Sequence, residues 1–278
     1  MLISQCLSRA SHQLAELSDS PRLEAEVLLA YSLQKNRTWL ATWPDQTLNE
    51  AQLNEFENLL LKRIKGHPVA HITGQREFWS LNLTVNKDTL IPRPDTELMI
   101  EQILQLYPQE KNICLADMGT GSGAIALAIA SERPNWQIIA TDQSAAALQV
   151  ARQNACALDL QQIEFRQGDW FQPLQGLQFD IIASNPPYIP LNDPHLQQGD
   201  VRFEPTAALV SGNDGLNDIR HIAAHAGAHL RPQGRLIIEH GYNQKQEIFD
   251  VFIENNYSNI TQLLDISKNP RLTIGLKQ

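Results

Sequence analysis

The sequence predicts an α/β fold: a parallel sheet covered by helices on both faces, preceded by a small helical bundle. Three observations predict it. Short apolar runs alternate with amphipathic stretches through the last two thirds of the chain, the rhythm of buried parallel strands and covering helices. A glycine-rich turn, "GTGSG", joins one such run to a helix. Before residue 76 the apolar residues recur only at helical spacing.

In chain order, "PRLEAEVLLAYSLQ" starts at Pro21 behind Asp19 and Ser20, a helix-start signal. "LNEAQLNEFENLLLKRIKG" aligns Leu53, Phe56, Leu60 and Ile64 on one face and stops at Gly66. Residues 1–75 therefore read as a helical domain. Residues 76–92 alternate apolar and polar positions around "NKD" and read as a β-hairpin linker. A helix opened by Pro94 and Asp95 begins a third segment, 93–278. Its strands are "NICLADMG", "WQIIATD", "IEFRQGD", "FDIIASN" and "GRLIIEHG". The tail "NITQLLDISKNPRLTIGL" supplies two more as an antiparallel edge.

Composition narrows the function. The chain has 278 residues, 42% hydrophobic and 19% charged, with a net charge of −9. A duplex-DNA binder would more usually carry a basic stripe, so the expectation is no direct nucleic-acid partner. Cys6, Cys114 and Cys156 are far apart and form no CxxC pair. That argues against structural zinc and a disulfide framework, and suits a reducing compartment. No run approaches the ~20 apolar residues that span a bilayer, and the N-terminus lacks a leader pattern. The reading is cytoplasmic, with no membrane partner.

The glycine loop carries the first chemical signal. Gly119, Gly121 and Gly123 let the chain turn sharply and admit a ligand close to the main chain; Thr120 and Ser122 complete the loop. Dinucleotide sites use G-x-G-x-x-G with a pyrophosphate at the helix end. Here the spacing is G-x-G-x-G behind Asp117, a carboxylate that repels pyrophosphate and welcomes an ammonium group. Asp142, ending the next strand, can accept both hydroxyls of a ribose. Asp169 can accept from an adenine amino group, and Trp170 can pack on the ring. Any one of these is more often a solvated or packing residue; their recurrence at three strand ends points to S-adenosylmethionine.

"SNPPYIP" carries the second. Two prolines cannot extend a central strand, because each lacks an N–H and has a fixed φ. The strand must stop and deliver Asn185 and the Pro186 carbonyl as a pair of acceptors. Such a pair grips a planar –NH2 group, with Pro187 fixing the turn and Tyr188 stacking on the flat group. Asn185 and Pro186 are the candidate catalytic pair.

Together "GTGSGAIALAIA" and "SNPPYI" resemble the class I S-adenosylmethionine-dependent methyltransferases, a Rossmann-like fold. "PVAHITGQREFWSLNLTVNKDTLIPRPDTE" and "DPHLQQGDVRFEPTAAL" resemble, more narrowly, the PrmC/HemK family of protein-(glutamine) methyltransferases of peptide chain release factors. That resemblance implies methylation of the glutamine in the Gly-Gly-Gln motif of class I release factors. Gly119 to Gly123, Asp142, Trp170 and Asn185 would then hold the cofactor. Asn185, Pro186, Pro187 and Tyr188 would hold the glutamine, and the helical domain would help dock the release factor. The segment Arg93 to Glu97 would lie near the pocket without assigned roles. The tail "SKNPRL" departs from the family pattern at Pro270, and Arg271 reads as a surface feature.

Other readings are a nucleic-acid amino methyltransferase, which would use the same tip on an extruded base, a dinucleotide oxidoreductase, and a non-catalytic docking protein. "HIAAHAGAH" places His221, His225 and His229 at i, i+4 steps, a spacing that can bind zinc. Methyl transfer to an amine needs no metal, and these read as incidental histidines on a helix face.

Overall fold

The computed structural model describes residues 1–107 and 112–278, which form two compact units. The first comprises Met1–Gln75 with Pro194–Phe203. Its helices are α1 (Ile3–Leu14), α2 (Pro21–Ser32), α3 (Arg37–Thr42), α4 (Glu50–Ile64) and α5 (Val69–Thr73). They close on Leu28, Leu29, Phe56 and Leu60, all fully buried. Asn49 and Gln52 form a reciprocal capping box at the start of α4, at 2.9 and 3.1 Å. Beyond its end Gly66 takes a positive φ of 94°, the stop the sequence indicated. Residues 194–203 belong to this unit although in sequence they fall inside the segment 93–278. The buried Arg63 guanidinium meets Glu24 at 2.7 and 3.0 Å and Asp200 at 2.8 Å.

The second unit comprises Arg76–Asp193 and Glu204–Gln278. After the hairpin β1 (Gln75–Phe78) and β2 (Leu81–Thr84) comes α6 (Glu97–Leu106). Then strand and helix alternate: β3 (Cys114–Met118), α7 (Ala124–Glu132), β4 (Gln137–Asp142), α8 (Ala145–Ala157), β5 (Glu164–Gln167) and β6 (Phe179–Ser184). The chain ends with α9 (Asn217–His229), β7 (Leu230–Glu239), α10 (Lys245–Glu254), β8 (Tyr257–Leu264) and β9 (Pro270–Lys277). The seven strands lie in the order β5-β4-β3-β6-β7-β9-β8. The first five are parallel, and β9 runs antiparallel to both its neighbours. The expected parallel sheet and antiparallel edge are both present.

Both faces of the sheet are buried. Along β3, Leu115 joins the core cluster that contains Ile100 and Ile129, whereas Ala116 and Met118 join the one that contains Ile222 and Phe252. This is why the strands read as continuous apolar runs. From β3 the sheet grows one way through β4 and β5, then the other way through β6 and β7. A crevice opens at the carboxyl ends of the strands where that order reverses.

The hairpin differs from expectation in two respects. Its turn is Trp79–Ser80, with φ of +51° and +58°, a pattern that usually selects Asn or Gly. Glutamates hold it instead: the Trp79 backbone N–H donates to Glu97 at 2.9 Å and its indole N–H to Glu132 at 2.9 Å. "NKD" forms a separate turn after β2, closed by the Asn86 side chain on the Asp88 N–H at 2.9 Å. The hairpin also packs against the sheet. Phe78 and Leu83 are buried in the sheet's core, and Asn154 of α8 exchanges bonds of 2.8 and 3.0 Å with the Thr84 backbone.

Candidate active site

A cavity of about 400 Å3 sits at the carboxyl ends of the strands. The glycine loop forms one wall. The N–H groups of Gly119 and Thr120 both donate to the Thr141 carbonyl at 2.9 Å, which fixes the loop against β4. Gly119 and Gly121 line the cavity, with φ of +73° and +55°. A Cβ at Gly121 would meet nothing within 4 Å, and one at Gly119 would lie 3.8 Å from the Trp170 ring. The other loop residues shape the turn. Thr120 and Ser122 are buried. A Cβ at Gly123 would come within 2.9 Å of Leu127 Cδ1 and 3.2 Å of Ala151 Cβ.

The acidic residues separate into distinct roles. Asp117, expected at the loop's entrance to meet an ammonium group, is fully buried and does not line the cavity. Its Oδ2 accepts from the Thr120 hydroxyl at 2.6 Å and from the Ala126 N–H at 3.1 Å, while Oδ1 has no partner. Burial pushes its carboxyl up to about 7. It braces the loop from beneath. Asp142 does line the cavity, accepting from the Gly121 N–H at 2.9 Å and the Ser144 N–H at 2.8 Å. Each carboxylate oxygen keeps a lone pair for a further donor. Asp169, exposed, and Trp170, half-buried at a φ of +39°, complete this wall.

Opposite stands the tip of β6. Ser184, fully buried, anchors it through its hydroxyl to the Met118 carbonyl at 2.7 Å. Asn185 and Pro187 line the cavity, whereas Pro186 is buried. Tyr188, expected to stack on a ligand, is half-buried, packs against the core under the sheet and is not part of the cavity lining. Its carbonyl accepts from Gln244 Nε2 at 2.9 Å, and burial raises its hydroxyl pKa. Asn185 Nδ2 donates to Thr96 Oγ1 at 3.2 Å, which leaves Oδ1 as the acceptor.

The segment Arg93 to Glu97 gains definite positions. Arg93 pairs with buried Glu204 at 2.7 Å, Asp95 with Arg271 at 3.2 Å, Thr96 with Asn185, and Glu97 with the hairpin turn. Arg271 is accordingly no surface feature. Its side chain is only 20% exposed and also meets Asp265 at 3.2 Å. Further lining comes from Asp88 to Leu90, from Thr141, Gln143 and Ser144, and from Ala207, Ala208 and Val210. Nothing local in the sequence marks these as lining; "NKDTL" and "FEPTAAL" stand out there only as text resembling a family. His221, His225 and His229 run along α9 beside Phe171, whose ring stacks on His229 at 4.8 Å. His225 Nδ1 already bonds the His221 carbonyl at 2.8 Å.

Comparison with known proteins shows the family and the fold. Residues 5–74 match a family described as the PrmC N-terminal domain, and residues 94–198 match the methyltransferase small domain. The release factor glutamine methyltransferase of Shewanella oneidensis is 48% identical over 98% of this chain and 95% of its own. That of Escherichia coli is 46% identical over 94% of each. Among solved structures, a methyltransferase from Pyrococcus furiosus superposes with a TM-score of 0.54 at 16% identity, over 80% of this chain and 98% of its own. The T. thermophilus 16S rRNA N2 G1207 methyltransferase gives 0.54 at 18% identity, over 73% and 50%. These two share the fold alone. At this identity across nearly its whole length, the chain belongs to the release factor glutamine methyltransferase family.

Proposed function

We propose that the chain transfers a methyl group from S-adenosylmethionine to the side-chain amide of the glutamine in the Gly-Gly-Gln motif of class I peptide chain release factors. The observation that carries this reading is that Asn185, its acceptor oxygen left free by Thr96, lines the same cavity as Gly119, Gly121 and Asp142.

The residues fit the cofactor. Side chains are missing where an adenosine must lie close to the main chain, at Gly119 and Gly121. A carboxylate with spare lone pairs, Asp142, suits two ribose hydroxyls. Trp170 offers a ring edge and Asp169 an acceptor for an amino group. When bound, S-adenosylmethionine supplies an electrophilic methyl on a sulfonium.

The protein's part is positioning. Asn185 Oδ1 and the Pro186 carbonyl each accept one N–H of the glutamine amide and turn its nitrogen toward the methyl. An amide nitrogen is a weak nucleophile because its lone pair is delocalised, and two acceptors draw density back onto it. As the N–C bond forms and the methyl–sulfur bond breaks, its electron pair staying on sulfur as a neutral thioether, these oxygens stabilise the positive charge that develops on the amide. One amide proton then passes to solvent, so no strong base is needed before attack. Holding the two reactants together can supply about 7–11 kcal/mol of the barrier.

The helical unit, with Tyr31 and Trp43 exposed, is assigned to docking the release factor, and the cytoplasm is where the two would meet. No helix among the described residues is long and apolar enough to cross a membrane. The test is mass spectrometry of a release factor incubated with enzyme and cofactor. One added methyl on the Gly-Gly-Gln glutamine is expected, and loss of it in Asn185→Ala. Transfer that persists at the wild-type rate in that variant would refute the acceptor role.

A further inference from the structure

Asn185 sits at the end of a buried chain of hydrogen bonds. Its Nδ2 donates to Thr96 Oγ1 at 3.2 Å. The Thr96 hydroxyl also faces the Glu239 carboxyl, close enough to give it a proton. Thr96 and Glu239 are 4% and 2% exposed, and the second Glu239 oxygen has no partner. Three elements meet here: the start of α6, the end of β6 and the end of β7. None is near another in sequence.

A hydroxyl has one proton to give. If Thr96 gives it to Glu239, it can only accept from Asn185, and the atom of Asn185 that faces it must be the nitrogen. We propose that Glu239, acting through Thr96, sets the direction of the Asn185 amide so that Oδ1 rather than Nδ2 faces the substrate. The idea rests on the methyl-transfer reading and adds two positioning residues to it.

The direction matters because the two ends of an amide differ by only a rotation about one bond. With Nδ2 turned inward, a donor would face the two N–H donors of the substrate amide, and the grip would become a repulsion. Asn185 alone does not choose between them; Glu239, two hydrogen bonds away, does so in its ionised form, which can only accept. The charged groups around Glu239 are Arg271 of β9, and Asp95 and Arg93 ahead of α6, with Tyr188 beyond β6 also near. Both cations already have partners, Arg93 in Glu204 and Arg271 in Asp95 and Asp265. Thr96 is the hydroxyl that lies between Glu239 and Asn185.

The test compares T96V, T96S and E239Q with the wild type in two measurements. The first needs no substrate: exchange of the Asn185 side-chain amide protons by NMR on the whole 15N-labelled chain, the signal identified by its loss in N185D. One proton of the pair is expected to be protected in the wild type and in T96S, and neither in T96V. E239Q should protect it less than the wild type, since a glutamine amide can donate as well as accept.

Equal protection in T96V and the wild type would overturn the proposal, and equal protection in E239Q would overturn the part given to Glu239. The second measurement is transfer to a release factor. T96V should lower kcat roughly 10–100-fold, with the calorimetric Kd for cofactor unchanged, and T96S should restore most of it. An unchanged kcat in T96V overturns the proposal. Should T96V not fold, T96A makes the same comparison. A wild-type enzyme that methylates no release factor would sink the proposed function, while the exchange measurement would still decide the direction of the amide.

Discussion

Asp142→Ala removes two things at once, and the structure allows them to be separated. Towards the cavity it removes a carboxylate that the proposed function gives to the ribose hydroxyls. Hydrogen bonds to a charged acceptor are worth about 1.5–3 kcal/mol, and every 1.4 kcal/mol is about tenfold in affinity. The Kd for S-adenosylmethionine should therefore rise roughly 10- to 150-fold. Towards the protein it removes acceptors for the Gly121 and Ser144 N–H groups, at 2.9 and 2.8 Å. Part of that loss is made good by water, because the site is open, and about 1–3 kcal/mol of stability should go. Calorimetric titration gives the first number and urea unfolding the second. Asp142→Asn keeps one acceptor oxygen and should fall between. A Kd within a factor of about two of wild type, in a variant that has lost the expected stability, would show that Asp142 only braces the loop.

Asn154→Ala should destabilise the second unit by about 1–3 kcal/mol, because it strands the Thr84 N–H and the carbonyls of Thr84 and Ser122 without partners. An unaltered urea midpoint would contradict that. Gly123→Ala forces a Cβ to within 2.9 Å of Leu127 at a φ of +87°. It should cost about 1–3 kcal/mol and weaken cofactor binding; a fully stable variant would mean the loop has room to shift. Asp117 and Glu239 are both pushed up to about 7 by burial. Each binds its proton more tightly folded than unfolded, so its contribution is fully present below the unfolded carboxyl range. That contribution is lost as pH rises from about 4 through 7. Glu239→Gln should therefore gain stability relative to wild type as pH rises from about 5 to 8, and a constant gap in Tm between the two proteins would contradict this.

Much of the architecture is local enough to read in advance. The apolar runs from Cys114 to Glu239 are strands because both faces of the sheet are covered, and the two prolines after Asn185 stop β6 wherever it lies. Position at a strand end was less informative than it looked. Asp117 and Asp142 follow similar apolar runs, yet only Asp142 lines the cavity. Asp117 belongs to the central strand β3, flanked by Ala140 of β4 and Ala183 of β6, and sits one residue before that strand's last residue. The hairpin turn escaped for a related reason: Trp79 and Ser80 have no local preference for positive φ, and Glu97 and Glu132 hold them there.

The chain by itself determined the parallel sheet, the glycine loop, the proline-stopped tip and, through their combination, the class of chemistry. Each depends on residues adjacent in sequence, where backbone sterics and hydrophobic periodicity act directly. Only the tertiary structure decided which acid faces the cavity, that Tyr188 packs inward, and which end of the Asn185 amide is exposed. Those depend on strand order and on a partner such as Thr96, 89 residues from Asn185, brought to it only when α6 packs beside the sheet.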